Sequence, residues 1–177
     1  MKKRIHIFGA SGSGTSSIAR AVCAKIGYKH FDSDNYLWLP TEKPFSTIRP
    51  PKEFIDLMGK DLTNNERWIL SGHVSFGMSD VYLSLYELVV FVCVPPEIRM
   101  GRLKKREYER YGEEIYVGGN RHEASEEFLI YAASYDAGTG SRSLQAHEKW
   151  LTTVKCPILR ITNDCLDESV QKLISAL

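Results

Sequence analysis

The sequence predicts a three-layer α/β fold, with a five-stranded parallel sheet covered by helices on both faces. Three observations carry this expectation. Short apolar, β-rich runs alternate with stretches of helical periodicity. The strongest run, Leu88-Val89-Val90-Phe91-Val92-Cys93-Val94, is apolar on both faces, as a strand inside a parallel sheet must be. The first run, Arg4-Ile5-His6-Ile7-Phe8, opens directly into a glycine-rich turn followed by a helical pattern.

The elements follow in order. Residues 17 to 26 carry apolar side chains at helical spacing, and Gly27 stands where a helix C-terminus favours glycine. Tyr28 to Asp32 reads as a second strand that leaves acids at its carboxyl end. Residues 35 to 50 hold Pro40, Pro44 and Pro50 among aromatics and read as a long loop. Pro51 to Asn64 reads as a helix with Phe54, Ile55, Leu57, Met58 and Leu62 on its apolar side. Trp68 to Gly72 is a third strand, and a short helix is expected over Ser79 to Tyr86. After the strand at 88–94, Pro95 opens a basic helix to about Tyr111. Residues 112 to 122 contain three glycines and read as a mobile connection. Helical patterns return at 124–135 and 144–153, then a fifth strand at 157–161 and a last helix at 167–176.

The whole reads as one domain over residues 1–177, with an acceptor-binding insertion at about 35–65 and a lid at about 106–142. Both interruptions leave from the edge where open α/β sheets bind ligands. Net charge is +1, so no global field draws the chain to nucleic acid or a membrane surface. The basic start Met1-Lys2-Lys3-Arg4 is followed by too short an apolar stretch for a signal peptide. No run of about 18 apolar residues exists. Cys23, Cys93, Cys156 and Cys165 are scattered and read as buried thiols of a cytoplasmic protein, with neither a disulfide frame nor a zinc site.

The turn Gly9-Ala10-Ser11-Gly12-Ser13-Gly14-Thr15-Ser16 has the form of a phosphate cradle, a P-loop, in the strand-to-helix context that motif requires. Glycines let the backbone wrap closely and turn its amides inward, and the helix amino terminus adds partial positive charge. The nucleotide-binding candidates are Gly9, Ser11, Gly12, Ser13, Gly14, Thr15, Ser16 and Ser17. Ser16 stands where a hydroxyl would ligate Mg²⁺ beside the phosphates of ATP. A dinucleotide fingerprint fits less well, because its third glycine falls out of place. One position departs from the motif. Thr15 replaces the lysine that reaches the terminal phosphates, and threonine brings a hydrogen bond but no charge.

Asp32-Ser33-Asp34 follows the second strand and is expected beside this turn. Asp32 is a candidate for the metal shell, and Asp34 for accepting the proton of an attacking hydroxyl. Either acid would also serve as a helix or turn cap. Arg99, Arg102, Arg106 and Arg110 lie along one side of the basic helix. They form either a solvated face paired with Glu107 and Glu109 or a clamp for transferred phosphate that compensates for the missing lysine. Arg102 and Arg106 are the catalytic candidates, and Arg110 a substrate-side one. Arg121 and Arg142 flank the far side of the lid and are weaker candidates. Tyr36, Trp38 and Phe45 with Arg49 read as either a pocket wall with an anion anchor or a local aromatic cluster. Gly72 would let a substrate approach the backbone. His73 follows it as a lone histidine, and Thr162-Asn163-Asp164 stands where a base could rest.

Together the P-loop, the Asp-x-Asp, Gly72 and the arginine-bearing helix resemble the nucleoside- and small-molecule-kinase branch of P-loop proteins over nearly the whole chain. Adenylate, shikimate and gluconate kinases share this plan, and the Asp-x-Asp resembles the last two more. The resemblance implies a phosphotransferase using ATP and Mg²⁺. Asp34, Trp38, Arg49, Gly72 and Arg110 would then face a small-molecule or nucleotide acceptor, with no nucleic acid or membrane partner. The lid arginines would close on the transferred phosphate. The lysine-less turn is also similar to that of bacterial proteins labelled adenylate-kinase-related or topology-modulation proteins. The alternative is a nucleotide-binding switch or NTPase module in which Thr15 marks a loss of transfer.

Overall fold

The computed structural model describes residues 1–41, 45–73 and 80–177. Among these, five strands form one all-parallel sheet: β1 (Arg4–Gly9), β2 (Lys29–Asp32), β3 (Trp68–Ser71), β4 (Leu88–Cys93) and β5 (Ile158–Thr162). Their spatial order is β2-β3-β1-β4-β5. β1 lies at the centre, pairing Ile5 with Ile69 on one side and with Leu88 on the other. Burial follows this order. β1, β3 and β4 are almost wholly inaccessible, whereas β5 at the edge buries only Ile161 completely.

The period-2 alternation of the strands divides the core into two layers. Ile5, Ile7, Ile69, Val90 and Val92 face α1 (Thr15–Ile26) and α7 (Leu166–Ala176), through Ile18, Val22, Val170 and Leu173. Phe8, Leu70, Val89 and Phe91 face α3 (Pro51–Thr63) and α6 (Leu144–Leu151), through Phe54, Met58, Leu62, Trp150 and Leu151. The basic helix α4 (Pro96–Tyr111) follows β4, and α5 (His122–Ala133) packs against it.

Several boundaries differ from expectation, each for a local reason. The stretch expected as loop begins with a short helix, α2 (Ser33–Leu37), because the Asp32 carboxylate caps it by accepting from the Asp34 amide. The helix expected over 79–86 is a 3-10 turn from Asp80 to Leu85, and its expected first residue, Ser79, lies outside the described residues, as does Pro44 of the long loop. The connection at 112–122 is built: a 3-10 turn spans Gly112–Ile115, and the Arg121 amide donates to the Glu114 carbonyl at 3.0 Å. Of the four cysteines only Cys23 is fully buried. Cys165 is exposed at the start of α7, and all four are free.

Candidate phosphate and acceptor site

The glycine-rich turn is shaped by close contacts that only glycine allows. Gly12 and Gly14 have φ of 81° and 88°, which side chains rarely adopt. A β-carbon at Gly12 would meet the Arg99 carbonyl at 2.7 Å, so the turn lies pressed against α4. Gly14 begins α1 without any side-chain cap, which leaves the helix-start amides turned toward the cradle.

Asn163, at the end of β5, fixes the turn from the other side. Its Nδ2 donates to the Ser13 carbonyl at 2.8 Å, and its Oδ1 accepts from Ser169 at 3.1 Å. Its backbone carbonyl accepts from Arg102 Nη2 at 2.6 Å. The residue is 4% exposed. The sequence marks Thr162-Asn163-Asp164 as a place where a base could rest, and the structure ties Asn163 to the glycine-rich turn. Arg102 is thereby held beside Gly14: its Nη1 lies 4.0 Å from where a Gly14 β-carbon would stand. That Nη1 is buried and has no hydrogen-bond partner among the described residues.

At the opposite side of the turn, Ser16 Oγ donates to Asp32 Oδ2 at 2.6 Å. The other carboxylate oxygen is held by the Asp34 amide at 3.1 Å. Gly72 follows β3 with φ 97°, and a β-carbon there would collide with Ser33 Oγ. Its lack of a side chain therefore lets the Asp32–Asp34 segment close down on the end of β3. Ser33 Oγ donates to the His73 carbonyl at 3.1 Å, which ties the same two chain ends.

Asp34 is exposed to solvent. Packed groups around it still remove enough water to raise its carboxyl above the usual range, and Asp32 adds to the rise. Arg142 and Arg106 oppose that rise, so both charges reach Asp34. Arg106 is itself lowered by burial and by Arg110 beside it. It lies over the Phe128 ring at 5.6 Å, and its Nε has no hydrogen-bond partner among the described residues.

The four-arginine stripe divides. Arg102 lies beside Gly14, and the charge of Arg106 reaches Asp34. Arg110 is exposed and stacks on Phe45 at 5.4 Å, linking α4 to the aromatic loop. Arg99 departs from the phosphate-clamp reading. It is fully buried, donates to the Val94 carbonyl at 3.0 Å and pairs with Asp136, so its charge is met inside the fold. The glutamates expected to pair with the stripe go elsewhere: Glu109 to Lys105 and Glu107 to Ser125.

The aromatic loop is a packed unit. Trp38 meets Phe45 edge-on at 6.0 Å and bridges Ile48, while the Tyr36 hydroxyl donates to Asp61 at 2.7 Å. Arg49 donates to the Tyr36 carbonyl at 2.8 Å and lies 3.7 Å from Glu53, so part of its guanidinium secures the loop.

His73 is not alone. Its Nδ1 lies 3.1 Å from His147 Nε2, and His147 Nδ1 lies 2.9 Å from the Tyr135 hydroxyl. Burial first, then Arg142, pulls His73 down to about 2 and His147 to about 4, so both rings are neutral at pH 7. Arg142, a weaker candidate from sequence, thus acts electrostatically on Asp34 and on this pair. Spacing along the chain held no signal for either relationship.

The donor set fits a nucleotide with magnesium. A hydroxyl and a carboxylate supply hard oxygen ligands, uncapped amides and glycine contacts form the cradle, and Arg102 and Arg106 each carry a buried nitrogen without a hydrogen-bond partner among the described residues.

No family model matches the chain. It is 45% identical over 179 residues to the Bacillus subtilis protein described as uncharacterized protein YqaC, covering 100% of this chain and 98% of that one. Among solved structures it resembles shikimate kinase from Acinetobacter baumannii in complex with shikimate, at 13% identity and TM-score 0.59, covering 98% of this chain and 92% of that one. Shikimate kinase from Aquifex aeolicus gives 14% and 0.57 over 98% and 94%, and gluconokinase from Sinorhizobium meliloti gives 14% and 0.52 over 98% and 90%. The order β2-β3-β1-β4-β5 and the phosphate turn after β1 are thus met in a known architecture: the chain belongs to the family of Bacillus subtilis YqaC and has the P-loop kinase fold of shikimate kinase and gluconokinase.

Proposed function

We propose that the chain is a phosphotransferase that takes ATP with Mg²⁺ and passes the γ-phosphoryl group to a small acceptor carrying a hydroxyl or phosphate. The observation that carries this reading is the placement of Arg102. The turn lacks its lysine at Thr15, and Arg102 brings a permanent charge to Gly14 with a buried, unpaired Nη1.

In this reading the turn amides and the start of α1 hold the phosphate chain. Ser16 and Asp32 would hold the magnesium ion, which would supply positive charge against the phosphates. Ser16 would present its oxygen to the metal while its hydroxyl donates to Asp32. Asp34, whose carboxyl is raised above its usual range, takes the acceptor's hydroxyl proton in this reading. Arg106 and Arg142 oppose that rise. Trp38, Arg49 and Arg110 border the acceptor side, and movement of the 106–142 segment would exclude water. ATP over GTP is part of the proposal and rests on the family resemblance alone.

A nucleotide-dependent switch is the second reading, favoured by Thr15. The two separate in one experiment: γ-labelled ATP offered with a panel of hydroxy acids, sugars and nucleoside monophosphates. Labelled product with the wild type, lost in Arg102→Ala while ATP still binds, supports transfer. ATP binding without label transfer to any acceptor supports the switch.

A further inference from the structure

Behind the Ser16–Asp32 pair runs a hydrogen-bond chain that neither the motif nor the proposed reaction has used. Ser71, the last residue of β3, is fully buried. Its Oγ lies 3.3 Å from Ser16 Oγ, in donating geometry, with the Phe31 carbonyl a longer second acceptor at 3.5 Å, and 2.9 Å from His30 Nε2 on the neighbouring strand β2. Ser16 then donates to Asp32 at 2.6 Å. Parallel pairing sets this up. The register places Asp32 opposite Ser71 and His30 opposite Ile69, so His30 and Asp32 sit one pleat apart with side chains on the same face.

A hydroxyl has one proton to give. If His30 offered a bare Nε2, the Ser71 proton would turn to it and leave Ser16. If His30 carries its proton on Nε2, every donor in the chain faces one way: His30 to Ser71, Ser71 to Ser16, Ser16 to Asp32. Ser16 then keeps one oxygen lone pair free, and its own proton is fixed away from the cradle. A hydroxyl that ligates a cation must do both, because the metal needs a lone pair and repels the proton.

We propose that Ser71 and His30 are positioning residues for magnesium: they orient the Ser16 hydroxyl so that its free lone pair faces the metal that accompanies the nucleotide. The inference rests on the reading of the P-loop as a Mg²⁺–nucleotide site. It adds that metal binding at Ser16 depends on two residues from different strands, neither of which touches the ligand. Groups that orient metal ligands typically change metal affinity by about 10–100-fold when removed.

The test is calorimetric titration of ADP, with Mg²⁺ and with chelator, so that no turnover enters. Wild type is expected to bind ADP more tightly with Mg²⁺. Ser71→Ala is expected to leave metal-free ADP binding unchanged and to raise the Mg²⁺ concentration needed for the tighter binding by about tenfold. Ser71 is buried, so a second pair of variants is included. His30→Ala is expected to behave like Ser71→Ala, and His30→Gln, whose amide can donate from the same region, to recover most of the loss. An unchanged Mg²⁺ requirement in Ser71→Ala or His30→Ala overturns the inference and leaves the nucleotide site standing. A wild type that binds ADP equally with and without Mg²⁺ overturns the underlying reading as well, and that result is seen before any variant is made.

Discussion

Arg102 donates to the backbone carbonyl of Asn163 at 2.6 Å, and the side chain of the same Asn163 holds the carbonyl of Ser13 at 2.8 Å. One buried asparagine therefore fixes both the glycine-rich turn and the cation beside it. The distance between that cation and the cradle is set by the fold, not by a flexible side chain.

If Arg102 supplies the charge that Thr15 does not, Arg102→Ala should lower phosphoryl transfer by about 10²–10³-fold. ATP affinity should change far less, because the amide cradle remains. Steady-state kinetics beside a binding isotherm separates the two quantities. An equal loss in both would assign Arg102 to ground-state binding.

Gly14→Ala should destroy the cradle more thoroughly than any polar substitution in it. The new β-carbon meets both a φ of 88° and the Asn163 amide. Loss of ATP binding is expected, with destabilisation of about 1–3 kcal/mol from left-handed backbone strain. Nucleotide titration and urea unfolding check the two parts.

Arg99 and Asp136 carry stability instead of chemistry. Asp136→Asn should destabilise the chain by about 1–3 kcal/mol, since it leaves a buried guanidinium without its carboxylate. The phosphate site should keep its ligand affinity. A drop in urea midpoint with an unchanged ATP isotherm is the expected pair of results.

Acid should weaken the fold through its buried histidines. Burial lowers His6 and His147 from 6.5 to about 4 each. The folded values lie below the unfolded one, so the unfolded chain takes up more protons as pH falls. The stability these groups contribute is complete above about 6.5 and is lost between there and about 4, at up to about 1.4 kcal/mol per pH unit for each. Asp34, whose carboxyl is raised, works in the opposite sense. Urea midpoints at pH 7 and pH 5 measure the fall. His6→Phe, which keeps a ring between Phe8 and Tyr86, should flatten it.

Much of this site could be read from the sequence because its parts are local. The glycines of the turn, the uncapped start of α1 and the acids ending β2 are each defined by a few consecutive residues. The α/β alternation followed from hydrophobic period in the same way. What escaped was held by distant partners. Asn163 reaches Ser13 across 150 positions, and His73 reaches His147 across 74. Nothing at 73 or 163 alone marks such a bond. The arginine stripe failed at Arg99 for the converse reason: helical spacing showed a shared face, but the face runs from the fold's interior at Arg99 to solvent at Arg110. Asp136, which decides the role of Arg99, lies 37 residues further on.

The most direct test of the account is calorimetric titration of ATP onto the wild-type chain with Mg²⁺ and with chelator. The account predicts one-to-one binding that Mg²⁺ strengthens, together with about 2.7 kcal/mol of added stability when ATP stands at a hundredfold excess over its Kd. Absence of binding in both conditions would contradict it, since a cradle without lysine would then not hold a triphosphate even with Arg102 in place.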